Sequence, residues 1–482
     1  MDRRGFLRAG AGALGALALD PRVAAALPPS MRLAAADRPV PSPAQLAWQR
    51  DELTMFVHFG INTFTNREWG DGTEDPALFN PVRLDAAQWA RAARDGGFRL
   101  IILTAKHHDG FCLWPTETTD HSVKRSPWRG GGGDLVREFS DAARAEGLKV
   151  GLYLSPWDRN SPVYGDSPRY NDLYVQQLTE LLTRYGTIAE MWFDGANGEG
   201  PNGRRQEYDW PRFQRTVRTL QPNAIMFSDA GPDIRWIGNE RGIAGDPNWS
   251  TVDPAVVPHP GFSGPGAREA LQHGHAHGTV WRPGEADVSI RPGWFWHPEQ
   301  DDRVRTVENL TELYFLSVGR NANLLLNVPP TTDGLFHATD VERLRGFRER
   351  REEIFATDLA RGARASANSG SGAARVLDGD PDTFWSPAGG ATSGYLELDF
   401  RAPVEFDVVC LQEAIAHGQA VERYEVHALT SAGWKIVTDG STIGHRKLDR
   451  TDGPVTARRL RISIESALAT PRIATVALYR DR

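Results

Sequence analysis

The chain has 482 residues, too many for one ordinary domain, and at roughly 100–200 residues per domain it predicts about two to four folded units. With 40% hydrophobic and 24% charged residues and a net charge of −7, it is neither a disordered chain nor, lacking any basic tract to displace phosphate counterions, a nucleic-acid binder. Its two cysteines, Cys112 and Cys410, lie too far apart in sequence for a CxxC knuckle, and its 15 tryptophans must each place an indole N–H.

In chain order, the first element is an address. Arg3-Arg4 followed by Phe6-Leu7, an apolar run over 9–19 and the small-residue site Ala24-Ala25-Ala26 read 1–26 as a signal peptide of the twin-arginine type. This predicts a periplasmic or extracellular protein. The apolar run, about 11 residues, is too short to span a bilayer, and no later stretch is longer, so no membrane partner is expected. Residues 27–44, rich in Pro and Ala, read as a lead-in.

From 45 to 356, short apolar strands alternate with helical patterns. Strands are predicted at 55–60, 100–105, 149–155, 189–193, 224–228, 234–237, 279–281 and 323–328. Helices are predicted at 84–95 (closed by Gly96-Gly97), 134–146 (capped by Asp134, ended by Gly147), 172–184, 210–220 and 307–318. The unbroken apolar run at 100–105 suits a strand buried on both faces. No GxGxxG follows the first strand, so the pattern favours a TIM-like (β/α)₈ barrel over an open doubly wound sheet. The strands near 224 and 234 leave no room for a helix between them, which makes the barrel irregular there. After a helix at 340–355 the period changes to two. Leu396, Leu398 and Phe400 alternate with Glu397 and Asp399, and Leu460, Ile462 and Ile464 alternate with Arg461, Ser463 and Glu465. Residues 366–482 therefore read as an all-β sandwich domain.

Active sites of such barrels lie at the C-terminal ends of the strands. The polar residues expected there are His58 and Asn62, Lys106-His107-His108-Asp109, Ser155 and Asp158, Asp194, Ser228-Asp229, Arg235 and Glu240, then Glu285 and His297, with Trp157, Trp192, Trp281 and Trp294 among them. Histidines and carboxylates hydrogen-bond hydroxyls, and an indole packs on the apolar face of a pyranose. Paired carboxyls are the minimum for retaining glycoside hydrolysis, where they stand roughly 5–5.5 Å apart. No Ser-His elbow or phosphate loop competes with that reading.

Together, 55–60, Glu68-Trp69-Gly70, the Lys106–Gly110 run and Trp192-Phe193-Asp194-Gly195-Ala196 resemble glycoside hydrolase family 29, the α-L-fucosidases. The resemblance runs over 45–356. Trp236-Ile237-Gly238-Asn239-Glu240 is similar to the subfamily that prefers α-1,3/1,4-linked fucose on branched glycans. What the resemblance implies is an exo-acting retaining fucosidase whose partner is a fucosylated oligosaccharide or glycoconjugate. Asp194 would be the nucleophile and Glu240 the general acid/base. His58, Glu68, Trp69, His107 and His108 match fucose-binding positions, Trp294 lines the pocket wall, and Tyr153 matches a further position although Tyr153-Leu154-Ser155-Pro156 departs from the family's motif. No cofactor and no catalytic metal are implied, and the oligomeric state stays open.

Each assignment has a plainer rival. Asp229, Asp158 and Glu285 compete with Glu240 for the acid/base role. His107 and His108 are neighbours, and in a regular strand would point to opposite faces, so both reach one pocket only if the strand has ended. His273-Gly274-His275-Ala276-His277 has metal-like spacing but reads as a Gly-rich loop. A metal-dependent barrel hydrolase using His58, His107 and His108 lacks the His-x-His expected at strand one. A non-catalytic carbohydrate-binding protein would not need both Asp194 and Glu240. In the C-terminal region, 377–385 (Leu-Asp-Gly-Asp-Pro-Asp-Thr-Phe-Trp) resembles the discoidin-like fold of family 32 carbohydrate-binding modules, which implies a possible structural calcium near the Asp-Gly-Asp loop and leaves sugar binding and simple bracing of the barrel as alternatives.

Overall fold

Eight parallel strands close into a barrel in strict chain order: β1 Leu53–Val57, β2 Leu100–Lys106, β3 Lys149–Leu154, β4 Glu190–Trp192, β5 Ile225–Ser228, β6 Ile234–Trp236, β7 Gly284–Ser289 and β8 Ala322–Asn327. This computed structural model describes residues 38–481, so the segment read as an export signal lies outside the described residues. Helices capped by Asp85 (Ala86–Asp95) and Asp134 (Leu135–Ala145) connect the first strands, each cap side chain accepting from backbone N–H groups of the first turn. The helix expected to start at 172 begins earlier, at Ser167, because Pro168 is tolerated in a first turn. Between β5 and β6 there is only a turn, as their spacing requires.

One strand differs from expectation. Val280–Trp281 is not in the barrel; it pairs antiparallel with Thr251–Val252 as a separate ribbon. The seventh barrel strand is Gly284–Ser289, in register with β8 from Gly284↔Ala322 to Ser289↔Asn327. Its sequence, Gly-Glu-Ala-Asp-Val-Ser, conceals it: the inward positions carry Glu285, Asp287 and Ser289 in place of an apolar row.

Side chains alternate across a strand, so the inward row of each barrel strand can be followed from base to mouth. The middle layer is apolar: Phe56, Leu100, Ile102, Ile225, Phe227, Ile234 and Leu325 pack with Tyr153 and Trp192. The helix Pro43–Gln49, closed by a Ser42/Gln45 capping box, plugs the base. From it Trp48 reaches inside and donates its indole N–H to Glu190 Oε2 at 2.9 Å. Above, Trp192 donates to Glu285 Oε2 at 3.0 Å. Glu190 and Glu285 are fully buried. Burial, reinforced for Glu285 by Glu190, holds both carboxyls above the ordinary glutamate range. They fix the indoles while staying protonated.

The C-terminal region is antiparallel: β9 Arg364–Ala367, β10 Gly394–Glu413, β11 Val421–Thr430, β12 Gly433–Gly440, β13 Lys447–Ala467 and β14 Ile473–Tyr479, ordered β9-β10-β13-β11-β12 with β14 on β10. The long β10 shifts register against β13 between Asp399 and Val404 and again between Phe406 and Val408. Bulges of this kind bend a sheet, and residues from both sides of them (Leu396 and Leu398, Val409 and Leu411) enter one core around Trp385. In the Asp-Gly-Asp loop, Asp378 Oδ1 and Asp380 Oδ1 accept backbone N–H groups, Asp378 Oδ2 accepts Thr383 Oγ1 and Asp382 pairs with Arg50. Among the described residues no cluster of three His, Cys, Asp or Glu side chains is arranged to hold a metal, so this loop's side chains do not supply a calcium shell. The 273–277 histidines are likewise not gathered: His273 Nδ1 meets Pro247 O and His275 Nδ1 accepts from Asp253 N. No helix among the described residues is long and apolar enough to cross a membrane.

The sandwich packs at the end of the barrel opposite the strand C-termini. Glu52 and Asn321, both left-handed (φ 59° and 60°), immediately precede β1 and β8. Asn321 exchanges hydrogen bonds with the backbone of His445 and Arg446. Glu52 takes Tyr314 Oη at 2.9 Å, His445 Nε2 at 3.0 Å and Arg446 Nε at 2.9 Å. Burial raises the pKa of Glu52, but Arg446 and these donors outweigh it and bring the carboxyl down to about 2. Breaking a buried pair by removing one partner strands the other charge. Glu52→Gln is therefore expected to cost about 3 kcal/mol of unfolding free energy at neutral pH, read as a lower urea midpoint. Because the folded pKa lies below the unfolded one, this stability is present above about pH 4.5 and lost as pH falls toward 2, so wild type and variant converge in acid. A variant equal to wild type at pH 7 would show that the contact contributes nothing.

Candidate active site

A pocket of about 390 Å³ opens at the C-terminal ends of the strands. Its wall contains all nine sequence-predicted site residues, His58, Glu68, Trp69, His107, His108, Tyr153, Asp194, Glu240 and Trp294, together with Phe56, Trp192, Ala196 and Asp287. Several lie where inward rows emerge: Phe56 leads to His58 and Trp192 to Asp194, each two residues on. Strand β2 ends at Lys106, which frees both His107 and His108 to face the pocket, their ring centroids 4.1 Å apart.

Asp194 sits at the base, its side chain 27% exposed. Oδ2 accepts from Tyr153 Oη at 3.1 Å and Oδ1 from Ala196 N at 2.7 Å. Burial raises its pKa above the aspartate value, and these two donors, which favour the carboxylate, oppose the rise. Gly195 follows because nothing larger fits: a Cβ there would lie 2.3 Å from Asp229 Oδ2. Glu240 lines the same pocket, solvent-facing, with Oε2 accepting the indole N–H of Trp294 at 3.3 Å. Burial, then the Asp194 and Glu68 charges, raise its pKa above the usual glutamate range.

The histidines are neutral. Burial pushes His58 and His108 down to about 3 and His107 well below its ordinary value. Their tautomers follow from fixed partners. Asn327 donates its amide N–H groups to Trp294 O and Ser289 Oγ, leaving Oδ1 to accept His58 Nδ1–H at 2.8 Å. Ser155 donates to Trp157 O and accepts His108 Nδ1–H at 2.7 Å. Both rings thus present an unprotonated Nε2, His108 Nε2 lying 3.9 Å from Asp194 Oδ2. Such a ring accepts a hydroxyl proton and carries no charge.

Glu68 is held by Trp294 N (2.9 Å) and His297 Nε2 (2.6 Å), an approach that Gly293 permits, since a Cβ there would meet Glu68 Oε1 at 2.1 Å. Trp294 tilts against His58 (centroids 5.0 Å) and exposed Trp69 meets His108 edge-on (5.9 Å). The rivals of Glu240 lie elsewhere. Asp158 is paired with buried Lys106 at 3.0 Å, Glu285 lies under Trp192, and Asp229 Oδ2 is occupied by Gly261 N. Trp192, named among the strand-end residues but given no role, lines the pocket, and Phe56, which sequence reasoning missed, was signalled by period two, lying two residues before His58. Asp287 lies two after Glu285 but on the strand that was not recognised.

A parallel barrel with paired carboxyls, neutral imidazoles and indoles around a pocket at its strand ends defines a carbohydrate-processing hydrolase of the barrel type. The family model described as Alpha-L-fucosidase matches residues 58–349, and that described as F5/8 type C domain, the discoidin-like fold, matches 362–477. The chain belongs to glycoside hydrolase family 29 and is an α-L-fucosidase. It is 43% identical to Alpha-L-fucosidase 1 of Arabidopsis thaliana over 457 residues, 92% of this chain and 88% of that one. Among solved structures, SpGH29 superposes with a TM-score of 0.87 at 43% identity over 92% of this chain and 98% of that one. A Ruminococcus gnavus GH29 fucosidase in complex with fucose superposes with a TM-score of 0.85 at 33% identity, over 92% and 95% of the two chains.

Proposed function

We propose that this fucosidase is exo-acting and retaining, removing terminal α-1,3/1,4-linked L-fucose from branched glycans, with Asp194 as nucleophile and Glu240 as acid/base. The observation that carries the assignment is the contrast between the two carboxyls of one pocket. Asp194 is fixed by two donors that favour its carboxylate; Glu240 faces solvent in the same pocket, its pKa raised by burial and then by the Asp194 and Glu68 charges. In the first step an Asp194 oxygen bonds to the anomeric carbon as the glycosidic C–O bond breaks, and the leaving oxygen takes the proton of Glu240. In the second, Glu240 removes a proton from water, whose oxygen displaces Asp194 and restores the free carboxylate. Neutral His58 and His108 suit an uncharged sugar, accepting its hydroxyl protons. Closure of the pocket base by Trp192 and Tyr153 supports exo action on one terminal residue. The linkage preference rests on the resemblance of the 236–240 segment, and the proposed site of action outside the cytoplasm rests on the Arg3-Arg4 segment.

A panel of α-1,2, α-1,3, α-1,4 and α-1,6 fucosides, with and without a neighbouring galactose branch, tests the linkage. The expected result is kcat/KM at least about tenfold higher on the branched α-1,3 and α-1,4 substrates, a span that differential binding can supply. A preference for α-1,2 or α-1,6 overturns it. Proton NMR of the first-formed product tests the stereochemistry, with α-L-fucose expected.

A further inference from the structure

We propose that Asp287 is a further substrate-binding residue of this site, serving the pocket as a neutral hydrogen-bond donor to a hydroxyl of the bound sugar. The proposal rests on the fucosidase reading and adds a contact to it. Asp287 follows Glu285 on the inward row of β7 and is only 4% exposed, yet its carboxyl lines the pocket. Its Oδ1 accepts the indole N–H of Trp236 at 2.8 Å, and Trp236 is the one side-chain donor it has among the described residues. The charged groups that act on it most are carboxyls, Glu240 and then Asp194, with Glu285 two residues before it on the same strand.

Four carboxyls, those of Glu68, Asp194, Glu240 and Asp287, line one pocket, and crowding of like charges favours protonation where a carboxyl is least well held. Asp194 has two donors, which favour its ionised form; Asp287 has one side-chain donor and is the most enclosed. Burial first, and the Glu240 charge second, hold Asp287 well above the aspartate range, a shift that favours the protonated carboxyl. With Oδ1 occupied by Trp236, the remaining hydroxyl function is left to face the cavity. The neutral histidines beside it accept, so a sugar hydroxyl that gives its proton to an imidazole still has lone pairs for such a donor.

Asp287 is also built into the loop that carries Glu240. Its carbonyl accepts Gly242 N at 3.0 Å and its side chain holds Trp236, so it grips both ends of the 236–242 segment. A purely structural role in that loop would act through the placement of Glu240 and lower kcat, whereas a lost sugar contact weakens the binding of L-fucose itself. The two are separated with Asp287→Asn, which keeps an acceptor for Trp236 and an N–H donor for the cavity but cannot ionise, and Asp287→Ala, which removes both.

On an aryl α-L-fucoside, kcat/KM is expected to fall about threefold for D287N and about 30- to 100-fold for D287A, the size expected when a hydrogen bond to a buried group is lost. Equal and large losses in both variants mean that a carboxylate is required and overturn the proposal; D287A within threefold of wild type overturns it too, since no contact is then made. L-Fucose binding, followed through tryptophan fluorescence, is the second readout: it should weaken about tenfold or more in D287A and less than about threefold in D287N, whereas D287A that binds L-fucose as the wild type does has lost only a structural role and overturns the proposal; if D287A is not folded, D287N decides, and binding weakened more than about tenfold counts against a neutral donor. The wild-type rate on the same substrate carries the fucosidase reading, whereas the ratio of the variants carries Asp287, so the two failures are told apart.

Discussion

Asp194→Gly is expected to lower kcat on an aryl α-L-fucoside by about 10⁴-fold or more, the range seen when a nucleophile that acts as part of a unit is removed. The physical reason lies in what replaces the lost carboxylate. Tyr153 Oη and Ala196 N, 3.1 and 2.7 Å from its oxygens, remain in place but have no anion to hold. Glycine here leaves space, so a small external anion has a route to the anomeric carbon. Sodium azide is therefore expected to restore turnover and to yield β-L-fucosyl azide, because it attacks from the face that Asp194 occupies. Asp194→Asn, which keeps acceptors for both donors, should be equally slow without rescue. Activity near wild type in either variant, or α-configured azide product from the glycine variant, means that Asp194 is not the nucleophile. Asp194 also sets the acid limb of the wild-type profile. It must be ionised to react, and since burial raises its pKa, kcat/KM should begin to fall at a pH above the ordinary aspartate value of 3.8.

Where a strand carries an apolar run, the barrel could be read directly from the sequence: Leu100–Leu103 and Leu324–Leu326 are such runs and lie within β2 and β8. The same reasoning failed at β7 for a physical cause. Its inward row is Glu285, Asp287 and Ser289, kept buried by indole and amide donors from Trp192, Trp236 and Asn327, which come from other parts of the chain. No local pattern announces such a strand, and Asp287 was lost with it. Site residues tied to a motif, such as Asp194 and Glu68, could be named from sequence, and His297 and Tyr153 could be placed at strand ends, whereas which side chain supports which could not be read. His297, which fixes Glu68, is 229 residues away in the chain, and Asn327, which sets the tautomer of His58, is 269 away. The tryptophan count now has content of the same kind: Trp48, Trp192 and Trp236 place their indole N–H groups on the buried carboxyls of the barrel interior.

Glu240→Ala should separate substrates by their leaving groups. A general acid contributes about 10²- to 10⁴-fold when the departing oxygen needs its proton. On a natural glycan, whose sugar alkoxide leaves poorly, kcat/KM is expected to fall about 10³-fold; on an activated aryl fucoside such as the 2,4-dinitrophenyl derivative, whose phenolate leaves unaided, the same parameter should fall less than about tenfold. The pH dependence gives an independent sign. Glu240 must be protonated to act, and burial, with the Asp194 and Glu68 charges behind it, raises its pKa above 4.5. Wild-type kcat/KM on the glycan is therefore lost as pH rises through that raised value. In the variant on the activated substrate this basic limb should vanish, while the acid limb set by Asp194 stays. Azide should speed turnover of the variant and give α-L-fucosyl azide, since the anion then intercepts the Asp194 intermediate from the face that Glu240 has vacated. That outcome, opposite in anomer to the Asp194→Gly rescue, follows only if the two carboxyls work from opposite faces of the same sugar. A basic limb that persists unchanged in Glu240→Ala would move the acid/base role to another group, and Asp229, raised by burial to about 6 and packed against Gly195, would be the residue to replace next.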